Sequence, residues 1–223
     1  MASARTEASK AVQDYAKTIW SLGTRSDEPV STSAIAERLE VSPASASAMV
    51  KRLESMGLVE REPYHGVRLS AAGVRVALEV LRHHRLLELY LAEALGMSWD
   101  RVHEEAEVLE HAISPELSEL IAAKLGNPTH DPHGDPIPTA DGEIDERQSR
   151  ALIELGPGER GRFTRVSDSN PDMLRYLSDR GIAPGDELEL VGHEPFGGPV
   201  TVNANGREHA LGDLLASAMR IEQ

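Results

Sequence analysis

The chain has 223 residues, 23 lysines and arginines against 37 aspartates and glutamates, a formal net charge of −14, 40% apolar residues and no cysteine. Its length and apolar content suffice for one or two cores, while the missing cysteine excludes disulfides, thiolate metal sites, iron–sulfur ligation and thiol nucleophiles, so any metal must be held by histidine and carboxylate. The polar start lacks a signal-peptide pattern and no apolar run approaches the roughly 18 residues of a membrane span, so the cytoplasm is the expected compartment and no membrane partner is expected.

From Ala8 to Leu22, Val12, Tyr15, Ile19 and Leu22 recur at helical spacing, and Gly23 stops the helix. A short helix follows over 31–39. Ser42 and Pro43 then supply an N-cap and a first-turn residue for a second helix to about Met56, with Gly57 as its stop. Leu58–Arg61 and Val67–Leu69 read as strands around the turn Pro63-Tyr64-His65-Gly66. Helix, tight turn, helix and two-stranded wing make a winged helix-turn-helix. Its second helix enters a major groove, so Ser42, Pro43, Ala44, Ser45, Ser47, Ala48, Lys51 and Arg52 are the residues expected to face double-stranded DNA. The charge partition agrees with this. Residues 1–75 carry 10 basic and 9 acidic groups, 76–140 carry 4 and 12, and 141–223 carry 9 and 16, so only the N-terminal third meets a polyanion without strong repulsion.

Ser70 opens a long helix to about Leu95, broken by Gly96. Ser98-Trp99-Asp100 opens another, and Ser114-Pro115 caps a third to about Leu125. These short apolar helices bury little by themselves and predict a homodimer. Between Gly126 and Gly158 prolines and glycines replace the helical period, which reads as a linker. From Gly161 the period becomes two, in Phe163–Val166, Glu187–Val191, Val200–Val202 and Met219–Ile221, with one helix from Asn170-Pro171 to Gly181, as in a small SH3-like β-barrel. The fold class is mainly α with β, divided into a winged helix-turn-helix (1–73), a helical dimerisation domain (74–146) and a linker with an SH3-like domain (147–223).

His103, Glu107, Glu110 and His111 fall on one helical face within an arc of roughly 100°. His84 and Glu88 repeat the pattern at i and i+4 on the preceding helix, and Asp14 on the first helix is a further candidate. Histidine and carboxylate repeated on neighbouring helices, in the segment with the largest acidic excess, point to a divalent cation. Two alternatives stay open on these residues: a winged-helix regulator of an organic ligand with a merely solvated acidic face, and a metal hydrolase. Against the second, His103-Glu104 starts a His-Glu-x-x-His motif but Glu107 stands where the second histidine is needed, and no nucleophile or phosphate loop stands out, so no enzyme and no organic cofactor are expected.

At Ile35–Leu39, His84–Glu88, Trp99 with Glu110–Ser114, Asn127–Thr129 and Gly134–Pro138 the sequence resembles the diphtheria toxin repressor family of metal-dependent transcriptional regulators. The resemblance implies the same three-part architecture, a homodimer on a palindromic operator, and a metal corepressor with two sites per subunit. It implies a primary site of Asp14, Glu107, Glu110 and His111 and an ancillary site of His84, Glu88 and His103, to which Asp168 or Asn170 of the C-terminal domain adds a ligand. Iron-type members carry Met and Cys where this chain has Asp14 and Glu107, whereas manganese-type members are acidic at both. The resemblance therefore implies Mn²⁺, with Fe²⁺ as the alternative and Zn²⁺, Co²⁺ or Cd²⁺ as substitutes in vitro. Lys17 departs from the two-domain manganese regulators, whose Glu there helps hold a second nearby ion. His130, His133, His193 and His209 match no ligand position and are expected in loops or on the surface.

Overall fold

Serine caps set the frame of the N-terminal helices. A computed structural model describes residues 9–24, 28–62, 65–145, 148–195 and 198–223, which fall into two units: 1–83 with 110–112 and 138–143, and 84–109 with 113–137 and 144–223. In the first, α1 (Lys10–Gly23) buries Val12, Tyr15, Ala16, Thr18 and Ile19 along one stripe. α2 (Thr32–Arg38) begins after Ser31, whose Oγ accepts from the Ala34 N–H, and α3 (Pro43–Ser55) after Ser42, whose Oγ accepts from the Ser45 N–H. β1 (Val59–Glu62) and β2 (Gly66–Leu69) pair antiparallel, and Val30 bridges to Val67. Gly66 has φ +134°, and a Cβ there would stand 2.3 Å from the Val30 carbonyl oxygen, so the bridge requires glycine.

Val12, Ile19, Ile35, Val50, Leu53 and Val67 share one core. Truncating a fully buried residue such as Leu53 to Ala would cost about 2–5 kcal/mol. The winged helix-turn-helix is thus present, and its expected groove-facing residues Ser42, Pro43, Ala44, Ser45, Ser47, Ala48, Lys51 and Arg52 are all exposed while Ala46, Val50 and Leu53 turn inward. The expected helix start at Ala8, the wing tip at Pro63 and Tyr64, and the boundary at 146–147 lie outside the described residues.

α4 (Ala71–Leu95) follows Ser70, whose Oγ accepts from the Gly73 N–H, and ends at Gly96 with φ +69°. In the second unit α5 (Val102–Leu109) and α6 (Pro115–Lys124) enclose a core of Leu86, Leu87, Leu89, Ala106, Ile121, Ala122 and Ile137 with the C-terminal half of α4. β3 (Arg150–Ala151), β4 (Arg160–Val166), β5 (Glu187–His193), β6 (Val200–Ala204), β7 (Arg207–Leu211) and β8 (Met219–Glu222) form one antiparallel sheet in the order β3-β8-β4-β5-β6-β7. α7 (Pro171–Ser178) and α8 (Asp213–Ala218) complete this SH3-like domain around Phe163, Leu174, Leu177, Leu188, Leu190 and Met219.

The linker expected after Gly126 is corrected in its first part. Residues 127–137 form a packed loop closed by a His130–Pro136 bridge, with Asp131, His133, Asp135 and Ile137 buried. The Asp131 carboxylate accepts the His133 and Asp135 N–H groups at 2.8 and 2.9 Å, and the Val166 N–H of β4 donates to the His133 carbonyl at 3.0 Å. Proline forbids a helix here, but side-chain and strand acceptors satisfy the backbone instead, so the loop can be buried. Gly134 makes the approach possible: its φ is +86°, and a Cβ would meet the Thr164 carbonyl oxygen at 1.8 Å.

Candidate metal centre

Helix α5 ends at Leu109, and Glu110 and His111 lie in the turn beyond it. That early stop spreads the single face expected from sequence over more than one group of ligand-type atoms. Asp14 of α1 meets Glu110 and His111 in one cluster, and His103 joins His84, Glu88 and Asp168 in another.

In the first cluster Asp14 Oδ1 is 2.8 Å and Glu110 Oε1 3.2 Å from His111 Nε2. Neither is in hydrogen-bonding geometry, so this buried nitrogen has no hydrogen-bond partner among the described residues. Its other nitrogen, Nδ1, is 2.7 Å from Gln13 Oε1. Lys17, one turn after Asp14, donates to both oxygens of Glu110 at 2.9 and 2.8 Å, and the Glu110 carbonyl is 3.3 Å from His83 Nδ1. Burial raises the Asp14 carboxyl above its ordinary range, opposed by His111, Lys10 and Lys17 and reinforced by Glu110. Two carboxylates and an imidazole nitrogen converge without a proton aligned between them, a donor set suited to a hard or borderline divalent cation. Glu107 Oε1 is 3.9 Å from both His84 Nδ1 and His103 Nε2.

The second cluster surrounds Glu88, whose side chain is wholly buried. Glu88 Oε1 lies 3.0 Å from His84 Nε2 and 3.3 Å from His103 Nδ1, and His103 Nδ1 lies 2.9 Å from Asp168 Oδ2. Asp168 comes from the turn after β4, and Asn170 instead caps α7 by accepting the Asp172 N–H. Burial works to raise the Glu88 carboxyl, but hydrogen bonds from His103 and His84 hold it well below the usual range. Burial likewise works to lower His103, yet the Asp168 and Glu88 carboxylates push it up to about 10.

On the other side of Glu88, Asp131 and His133 complete a further group of ligand-type atoms. His133 is therefore no surface residue: it is fully buried, stacked on Trp99, with Nε2 donating to the Trp99 carbonyl at 2.8 Å. Its Nδ1, 3.8 Å from Glu88 Oε2, and that oxygen are both buried without a hydrogen-bond partner among the described residues. Burial, then Asp135 and Glu88, raises the Asp131 carboxyl well above its ordinary range. Sequence reasoning missed Asp131 and His133; the signal was the Asp131-Pro132-His133 spacing inside a segment read as a linker. Gln13 and His83 carried no signal, since each acts only through its contact with Glu110 or His111.

Three family profiles match the chain: an iron dependent repressor N-terminal DNA binding domain over residues 7–67, an iron dependent repressor metal binding and dimerisation domain over 70–139, and an FeoA domain over 150–223. The chain is 32% identical to the diphtheria toxin repressor of Corynebacterium glutamicum, with 94% of each chain covered. It is 31% identical to the iron-dependent repressor IdeR of Mycobacterium tuberculosis, covering 94% of this chain and 95% of that one. Among solved structures it resembles a manganese-dependent transcriptional repressor in complex with manganese, at TM-score 0.88 and 42% identity over 94% of this chain and 98% of that one. It also resembles ScaR with bound Zn²⁺, at TM-score 0.79 and 31% identity over 95% and 99%.

Proposed function

The chain belongs to the diphtheria toxin repressor family of metal-dependent, DNA-binding transcriptional repressors, and on that premise we propose that it is a manganese-responsive repressor governing metal-ion homeostasis, with the divalent ion as corepressor. The observation that carries the reading is the cluster of Asp14, Glu110 and His111, all oxygen and nitrogen donors, with His111 Nε2 buried and without a hydrogen-bond partner among the described residues. Oxygen-rich donor sets without sulfur suit Mn²⁺, and geometry or availability must then exclude Zn²⁺, which binds such donors more tightly. We assign Asp14, Glu110 and His111 to the primary site, with Glu107 completing it. The second site comprises His84, Glu88, His103 and Asp168, and Asp131 and His133 extend it.

A bound divalent cation supplies the positive charge that lets Asp14 and Glu110 share one locus. Asp14 then fastens α1, the first helix of the DNA-binding unit, to the turn bearing Glu110 and His111. Moving a two-state equilibrium from 1:99 to 99:1 takes about 5.5 kcal/mol of differential binding, which coordination provides and an exposed ion pair, worth about 0–1 kcal/mol, does not. Ser42, Pro43, Ala44, Ser45, Ser47, Lys51 and Arg52 would face a palindromic operator, and Leu95, Val108, Leu117 and Leu120, 48–68% exposed, support self-association as a homodimer. The domains run 1–73, 74–146 and 147–223. We assign the protein to the cytoplasm, consistent with the absence, among the described residues, of any helix long and apolar enough to cross a membrane, and we assign it no catalytic activity.

The test is operator binding by metal-stripped protein titrated separately with Mn²⁺, anaerobic Fe²⁺, Co²⁺ and Zn²⁺ at fixed salt. Activation at lower free Mn²⁺ than Fe²⁺ is the expected result. The reverse order assigns the protein to iron, and binding without metal removes the corepressor role.

A further inference from the structure

We propose that Gln13 is a positioning residue that selects the ligating tautomer of His111 before any ion arrives, an inference that rests on the primary site proposed above. Gln13 and Asp14 are successive residues of α1, and together they bracket one imidazole: Gln13 Oε1 is 2.7 Å from Nδ1, and Asp14 Oδ1 is 2.8 Å from Nε2. A neutral imidazole carries its proton on one nitrogen and offers a lone pair on the other. An amide oxygen can only accept, so this contact requires the proton on Nδ1 and leaves the lone pair on Nε2. That nitrogen faces Asp14 and Glu110 and is the one left without a hydrogen-bond partner among the described residues.

The amide suits this task better than the alternatives. A carboxylate at the same place would accept the proton equally but add another negative charge to a cluster that already holds two. An aliphatic side chain would leave Nδ1 unpaired and free the ring to place its proton on Nε2, where Asp14 would hold it and block coordination. Groups that hold the second nitrogen of a ligating histidine typically change metal affinity 10–100-fold when removed. Because Gln13 needs no ion to make its contact, the ring is oriented in advance and the cost of ordering it does not fall on binding.

The experiment compares wild type with Gln13→Met, Gln13→Glu and Asp14→Ala. In metal-free protein, long-range ¹H–¹⁵N correlation of the imidazole reads the tautomer directly. Calorimetric titration with Mn²⁺ reads affinity, and thermal unfolding of the metal-free form checks that each variant folds. Expected are an Nδ1–H tautomer in wild type and Gln13→Glu, a shift to Nε2–H in Gln13→Met, and a 10–100-fold loss of Mn²⁺ affinity in Gln13→Met that Gln13→Glu largely restores. An unchanged tautomer or an unchanged affinity in Gln13→Met overturns the role of Gln13. Should Asp14→Ala bind Mn²⁺ as wild type does, the primary site itself is misassigned and the inference falls with it.

Discussion

Lys17 places its ammonium 2.9 and 2.8 Å from the two carboxylate oxygens of Glu110, so a resident cation already sits on a proposed metal ligand. A divalent ion taking Glu110 must share or displace it. Lys17→Met should therefore tighten Mn²⁺ binding several-fold. It should also destabilise the metal-free protein by about 1–3 kcal/mol, between the values for exposed and buried pairs, because Glu110 is buried and Lys17 is 18% exposed. Calorimetric titration and urea unfolding of the metal-free protein measure the two effects, and a weaker Mn²⁺ affinity would show that Lys17 supports the ligand instead of competing for it.

Asp14 is the member of the first cluster that α1 contributes. Asp14→Ala should reduce Mn²⁺-dependent operator binding at least 100-fold while the dimer persists. Fluorescence anisotropy on operator DNA at fixed salt, alongside sedimentation, checks both; metal-dependent binding that survives the substitution removes Asp14 from the site.

Glu88 Oε1 is shared by His84 and His103 in the second cluster. Glu88→Gln should lower the bound Mn²⁺ from two ions to one per protomer by elemental analysis. It should cost the metal-free protein roughly 3 kcal/mol, as expected when a buried charge loses its partner. Two ions still bound would place the second site elsewhere.

The same cluster sets the pH response of the metal-free form. His103 is faced by Glu88 and His84 of α4, by Asp168 and by Glu107. It is pushed up to about 10, and His133, which faces Glu88 and Asp131, to about 9, against an ordinary 6.5. Above pH 6.5 the unfolded chain releases protons that the folded chain keeps, so this stabilisation is complete below about 6.5 and is lost as the pH climbs toward 9–10. Urea midpoints of metal-free protein should fall between pH 6.5 and 9.5, and a rise over that range would contradict the arrangement.

Much of this was legible in the sequence because local chemistry and tertiary structure agree. Ser42-Pro43 announced α3, the apolar period announced α4, and the change to a period of two announced β4, β5, β6 and β8. β3, β7 and α8 were not anticipated: β3 is two residues long and paired only at the edge, and β7 is exposed along most of its length, so neither shows strong alternation. The partition of the ligands was hidden for a different reason. Helical spacing groups His103 with Glu110 and His111 only if the helix continues, and no proline or glycine marks its end at Leu109. The loop at 127–137 was hidden because proline content reports which conformations are forbidden and says nothing about burial.

That loop also bears on how the protein can be shortened. The Val166 N–H meets the His133 carbonyl, the Trp99 indole donates to Ser178 Oγ at 2.6 Å, and Arg175 pairs with Asp100 at 2.8 Å. Each joins the β-rich C-terminal part of the second unit to the stretch that carries α5 or the loop. A truncation near residue 147 would remove Asp168 and strip cover from Trp99 and His133 together. Its product would keep one of the two proposed sites whole beside a weakened helical core, so the C-terminal third is not a detachable accessory.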